Sequence, residues 1–224
     1  MKNLFLPLFA FLIGFGGVFG FQFIRIQQAG TKEIASPITS QPAPEPTLAL
    51  RPPSEALSGM LTVISGHAQK FSHDETEYRE ASMGAEILLG ESIATNANSS
   101  ATAEVAGIVR ANLGPTAELV FANMFPENFL LQQKNGKIEY VATRPISVRA
   151  LHALVSMEPA SPAGGPGNVV ITIIDTDISV TVKSGSVKLA VVDTDNNTQV
   201  YTLTTGQRAN IDDEAREVTL IKAR

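Results

Sequence analysis

The chain contains no cysteine. That excludes a disulfide framework, a thiolate metal site and a lipid-modified N-terminal cysteine. It leaves the redox compartment open, because a cysteine-free chain folds in either. Positive charge is also scarce: 17 Lys and Arg stand against 22 Asp and Glu, for a formal net charge of -5 and a pI of about 5.2. A nucleic-acid binder would present a basic face, so no nucleic-acid partner is expected. A helical period is almost missing after Leu57. No phosphate loop or dinucleotide fingerprint occurs. No serine sits in a nucleophile elbow, and Ser65-Gly66-His67 has no third partner at a telling spacing. No catalytic, cofactor-binding or metal-binding residue is therefore assigned, no cofactor is expected, and the chain is read as a non-enzyme.

What is present comes in three pieces. Residues Leu4 to Ile24 are apolar except for Gln22 and hold seven of the chain's 11 Phe. A bilayer core takes about 20 apolar residues as helix, so residues 1–24 are read as a transmembrane anchor. The alternative is a cleaved signal, with Lys2 in front and the small residues Val18 and Gly20 before a cut. The run continues through Phe21, Phe23 and Ile24, which favours the anchor. Lys2 on one side and Arg25 and Lys32 on the other nearly balance, so charge alone does not orient it. An N-inside, C-outside signal anchor is the default, placing the rest of the chain outside the cytoplasmic membrane.

Residues 25–56 form a second piece. The stretch from Ser36 to Glu55 holds six of the 13 prolines. Proline lacks a backbone donor and fixes φ, so the stretch reads as an extended spacer.

Residues 57–224 form the third. Apolar and polar residues alternate: Ala101, Ala103 and Val105 against Thr102 and Glu104, Val109, Ala111 and Leu113 against Arg110 and Asn112. Ile178, Val180 and Val182 and then Val187, Leu189 and Val191 repeat the pattern. Such a period of two predicts strands with one packed face and one wetted face. Turn signals fall at Ser65-Gly66, Asn96 to Ser100, Gly114-Pro115, Asn135-Gly136, Ser184-Gly185 and Asp193 to Asn197. Glycines at 59, 136, 185 and 206 each precede an alternating strand and are expected to turn the chain with φ > 0. The expectation is an all-β domain, either an elongated β-roll of stacked layers or a sandwich of two sheets. The charged patch Glu75 to Ser82 is the only helix candidate. The segment His152 to Asn168, rich in Pro and Gly, reads as a long loop leaning toward disorder.

Several polar clusters could carry chemistry. Asp193-Thr-Asp195-Asn-Asn197 begins like a calcium loop, but Thr198 and Thr204 stand where Gly and a closing Glu belong, so it reads as a hairpin turn. His67, His73, Asp74 and Glu75 lack a recognised ligand spacing, and His152 is isolated. Asp175 and Asp177 share a strand face and could do acid–base work only in a cleft that also took in Glu158. Asn98-Ser-Ser and Asn196-Asn-Thr are formal glycosylation acceptors.

The stretch Gly84-Ala-Glu-Ile-Leu-Leu-Gly90-Glu-Ser-Ile93-Ala-Thr95, with Ser100 and Ala101 to Val105, is similar to the core motif of the FecR family. Leu113 to Leu119, Leu131 to Ile138, Val180 to Val187 and Leu203-Thr-Thr-Gly206-Gln207 resemble its later elements in order. Together they run along most of residues 58–212. Glu91 replaces the usual Asp. The family's "V-x-G-T-x-F-x-V" step is missing where the Pro/Gly loop at 158–168 lies. The resemblance implies an extracytoplasmic domain of the kind found beside iron-siderophore receptors. Only Met1 to Asn3 precede the apolar run, so it implies the sensing or contact domain without the cytoplasmic anti-sigma region. The partner expected is an envelope protein or a glycan. The alternative is a self-associating surface scaffold, for which the charge-poor stretch Ile171 to Ile174 would serve as an edge strand.

Overall fold

The computed structural model describes residues 55–72, 74–159 and 165–222. The expected anchor and most of the proline-rich spacer lie outside them. Among the described residues no helix is long and apolar enough to cross a membrane.

The described chain is all β, with 17 strands and no helix. In chain order they are β1 (Gly59–Ser65), β2 (Ala68–Phe71), β3 (Arg79–Glu80), β4 (Glu86–Ile87), β5 (Ser92–Thr95) and β6 (Ser100–Val105). Next come β7 (Val109–Leu113), β8 (Glu118–Phe125), β9 (Asn128–Ala142), β10 (Ile146–Ala150), β11 (Ala153–Glu158) and β12 (Gly167–Ile174). The last are β13 (Asp177–Ser184), β14 (Ser186–Val192), β15 (Thr198–Thr204), β16 (Arg208–Asp212) and β17 (Glu217–Ile221).

Hydrogen bonding sorts them into two ladders. The first runs β4-β1-β6-β7-β9-β12-β13-β16-β17. The second runs β3-β2-β5-β8-β9-β10-β11-β14-β15. Every pair is antiparallel except β9 with β10. The inward side chains of both ladders form one hydrophobic cluster, from Leu61 and Ile87 through Phe121, Leu131 and Val155 to Leu189 and Ile211. Both readings of the β architecture thus describe part of it. There are two sheets with a shared core, filled by hairpins that alternate between them as the chain advances.

β9 joins the two sheets. Its first half pairs with β8 and β10, and its second half with β7 and β12. Phe129, Leu131 and Gln133 point inward in the first half, but Ile138, Tyr140 and Ala142 do so in the second. The inward parity therefore slips by one at Asn135-Gly136. A bulge with an αL glycine makes that slip, and Gly136 has φ +78°. The crossing is pinned by a buried polar network. Gln133 Nε2 donates to the carbonyls of Gly136 (2.8 Å) and Ile171 (3.2 Å), and its Oε1 accepts from Tyr140 Oη (3.0 Å). A turn was expected at Asn135-Gly136. The strand instead runs through it, because the residues that close a hairpin also build a bulge.

Four other expectations are corrected. Glu75 to Ser82 is not a helix: it lacks a periodic apolar face and contains β3, which pairs with β2, while Ala81 enters the core and the Tyr78 ring lies 5.2 Å from that of Phe71. The segment from His152 onward is mostly strand, since β11 buries Ala153, Val155 and Met157. The expectation of disorder also falls on residues 160–164, which lie outside the described residues. Ile171 to Ile174 is no edge, because β12 is paired on both sides by β9 and β13. Gly136, Gly185 and Gly206 have positive φ, but Gly59 is not among the residues that do.

Candidate binding groove

The outer face of the first sheet carries a groove of about 680 Å³. Strand register builds it. Cross-strand partners on β12, β13, β16 and β17 place like with like in three rows. Ile174, Asp177, Asp212 and Glu217 form the first row. Thr172, Ser179, Asn210 and Thr219 form the second, with Lys137 of β9 at its end. Val170, Thr181 and Arg208 form the third. Val170 lies on the outer face yet is only 8 % exposed and stands apart from the main core, so it is the buried, apolar part of the groove's floor.

The groove has two poles. Asp177, Asp212 and Glu217 sit on adjacent strands at one end, with no cationic partner among the described residues. Like charges directly opposite across strands are destabilising, so this row costs the fold some stability. Asp212 Oδ1 is engaged only by the backbone N–H groups of Glu214 (3.1 Å) and Ala215 (2.9 Å), which shape the β16–β17 turn. At the other end stand Lys183 and Arg208. Arg208 Nε donates to Asn210 Oδ1 (2.8 Å). Lys183 Nζ reaches Glu139 Oε1 at 2.6 Å, and Asn168 Nδ2 donates to the same oxygen at 3.0 Å. Asn168 Oδ1 is buried without a partner among the described residues. The hydroxyls of Thr172, Ser179, Thr181 and Thr219 remain available between the poles. No aromatic ring lines the groove.

The Lys183 bond, then that of Asn168, holds the Glu139 carboxyl below its ordinary 4.5. A depressed carboxylate stabilises the fold above its unfolded pKa and loses that contribution as pH falls through the folded one. Lys183→Met is therefore expected to raise the Glu139 pKa toward 4.5 and to move the acid unfolding limb upward in pH. NMR titration of the Glu139 carboxyl checks this, and an unchanged titration would remove Lys183 as the cause.

The residues singled out from the sequence fall elsewhere, with the exception of Asp177. Asp193 organises the β14–β15 hairpin: its Oδ1 accepts the N–H groups of Asp195 (3.0 Å) and Asn197 (2.8 Å), and its Oδ2 accepts Gln199 Nε2 (3.1 Å). Those bonds, that of Asn197 first, hold its carboxyl low. His67 Nδ1 meets Glu80 Oε1 at 2.6 Å, while His73 lies outside the described residues. Among the described residues no group of three or more His, Asp or Glu is placed to hold a metal ion. Asp175 sits in the exposed β12–β13 turn at φ +54°, and Glu158 pairs with Lys188 (2.9 Å) on the other sheet, so the three acids share no cleft. Asn98 and Asn196 are both turn residues with positive φ.

His152 is not isolated. Its backbone N–H and Nδ1 meet Asp213 Oδ1 (3.1 Å) and Oδ2 (2.7 Å), tying the β10–β11 turn to the β16–β17 turn. Sequence reading also missed Glu91, which is 3 % exposed. It accepts Lys70 Nζ (3.0 Å to both oxygens), Ser72 Oγ (2.8 Å) and the Leu88 N–H (2.8 Å). The only signal for it was its place in the motif, where it replaces an Asp.

Two solved structures, both of a candidate anti-sigma factor from Parabacteroides distasonis ATCC 8503 and refined at 1.65 and 2.50 Å, are similar to this chain. Their sequences are 14 % and 17 % identical to it, and each has a TM-score of 0.48. Each likeness covers 59 % of this chain and 59 % of the other. No family model and no curated protein matches the chain.

Proposed function

We propose that this chain is a FecR-like binding domain, anchored by Leu4 to Ile24 and displayed outside the cytoplasmic membrane on the spacer of residues 25–56. On this reading it is non-catalytic, and its ligand is a segment of an envelope protein lying along the groove. One observation carries the reading. The groove offers two opposite charged poles around a floor of hydroxyls and an amide, which suits a polar chain with charges of both signs. A glycan is less well served, because no ring is present for a sugar to stack against. No nucleophile is paired with a base in the groove, and its carboxylates are spread across three strands.

The test uses the full chain in membranes, with a photo-cross-linking residue at Ser179. An envelope protein is expected to be captured, and a second chain carrying Arg208→Glu and Lys137→Glu should capture it about tenfold less, equivalent to roughly 1.4 kcal/mol. A probe at Gln132, on the other sheet, should not capture it. Equal capture from both faces, or capture insensitive to the charge reversals, would overturn the groove. Adducts that resist protease and migrate as polysaccharide would overturn the protein ligand in favour of a glycan. Full protection of the domain from protease on intact cells would overturn the extracytoplasmic placement.

A further inference from the structure

The two ends of the paired sheets are built differently. At the N-terminal end the outermost strands are β3 and β4, of two residues each, and both carry charge through Arg79, Glu80 and Glu86. Very short, charged edges are how sheets resist further pairing. At the C-terminal end the outermost strands are β15, of seven residues, and β17, of five. β15 reads Thr-Gln-Val-Tyr-Thr-Leu-Thr, without a charge and rich in β-formers. Its only ladder partner among the described residues is β14. From it we infer that the chain pairs with a second copy of itself, β15 against β15 in antiparallel register about Tyr201.

Three observations fix that occupant. The strand is self-complementary: turned about Tyr201, Val200 faces the other copy's Thr202, Gln199 faces Leu203, and no charge meets a charge. β17 fails the same operation, since pairing about Thr219 sets Arg216 opposite Lys222. An apolar row on the outer face also leads to this edge, with Leu154 beside Ala190 and Ala190 beside Val200. Leu154 is 38 % and Val200 62 % exposed, and in the pair Val200 faces the second copy's Thr202 and lies diagonal to its Val200. Finally, β15 set against its own copy is an isologous contact, which closes as a two-fold dimer and does not grow into a filament. The proline-rich stretch from Pro37 to Pro53 is a poor occupant, because its prolines lack the donors a ladder needs.

The absence of cysteine makes the test clean. Tyr201→Cys in the full chain, in membranes, is treated with a short bifunctional thiol reagent, with Glu80→Cys on the opposite edge as the control. Position 201 is expected to give a cross-linked homodimer at least about tenfold more efficiently, since opposed residues in an antiparallel pair lie only about 4.5–5.5 Å apart. Val200→Lys should weaken self-association of the detergent-solubilised chain about tenfold or more, and mixing it with Thr202→Glu should restore pairing between the two chains. Circular dichroism of each variant confirms the fold. Cross-linking at 201 no better than at 80, a mixed adduct with another protein, or undiminished association of folded Val200→Lys would each overturn the inference. Groove capture at Ser179 is read separately, so failure of one leaves the other standing.

Discussion

Replacing Glu91 by Ala is expected to cost the domain about 3–5 kcal/mol, the penalty for removing one partner of a buried, hydrogen-bonded charge pair. The carboxylate sits at the turn between β4 on one sheet and β5 on the other, only 3 % exposed. Its loss leaves the Ser72 hydroxyl and the Leu88 N–H without that acceptor, and leaves the Lys70 ammonium, whose side chain is 26 % exposed, with only the Glu86 carbonyl at 3.1 Å and no counter-charge. Lys70 and Ser72 come from the β2 region, so the cluster ties β2 to the β4–β5 turn. For a domain of this size roughly 2–4 °C of melting temperature accompany each kcal/mol, so a fall of about 10 °C is expected. Glu91→Gln keeps an acceptor oxygen and should lose less than Ala, while Lys70→Met with Glu91→Gln should recover part of the loss by removing the stranded cation. Thermal and urea unfolding of the full chain, followed by circular dichroism, measures all three. A loss under about 1 kcal/mol for Glu91→Ala would mean that water replaces the carboxylate and that the cluster is not a fixed joint.

The second large effect is expected at Gly136. A Cβ there would stand 2.5 Å from Ala117 Cα, 2.8 Å from its Cβ and 2.8 Å from its N, all of them atoms that can move only with the backbone. The residue also has φ +78°, which for a side-chain-bearing residue costs about 1–2 kcal/mol by itself. Gly136→Ala must therefore either push β8 away or give up the bulge that returns Ile138, Tyr140 and Ala142 to the core. A loss of at least about 3–4 kcal/mol is expected, toward the diagnostic end of single substitutions. Gly84→Ala supplies the comparison, because Gly84 has φ +76° but nothing within 4 Å of its Cβ, and it should lose only the backbone cost of about 1–2 kcal/mol. Equal losses at the two positions would show that backbone conformation alone, and not the contact with Ala117, sets the value of Gly136.

Both predictions concern residues whose importance depends on neighbours far off in the chain, and this is where the sequence became hard to read. The strands themselves were legible. Ala101, Ala103 and Val105, or Val187, Leu189 and Val191, announce themselves because one face of each strand is buried and the other wet. The turn at Asp193 to Asn197 was legible for a similar reason, since its bonds are local. Gly136 was seen but assigned the wrong role, because a hairpin turn and a sheet-crossing bulge ask for the same residue. Glu91 and His152 were not legible, as their partners lie 21 and 61 residues away. Each residue of the groove's middle row is an ordinary wetted strand residue. Thr172, Ser179, Asn210 and Thr219 become a surface only when the register sets them side by side.

β9 has a consequence for how the molecule comes into being. In both ladders every strand before it in the chain lies on one side of it, and every strand after it lies on the other. Among the described residues no strand of the first half pairs with one of the second except through β9. A nascent chain that has emerged as far as Ala142 already holds all the partners of β1 to β8, so the N-terminal half can assemble in order of synthesis. During that interval the free flanks of β9, along Leu130 to Gln133 and Gly136 to Ala142, are the unclosed seam that β10 and β12 later seal. The hazard of mispairing is thus concentrated in one strand and lasts only until β10 and β12 arrive.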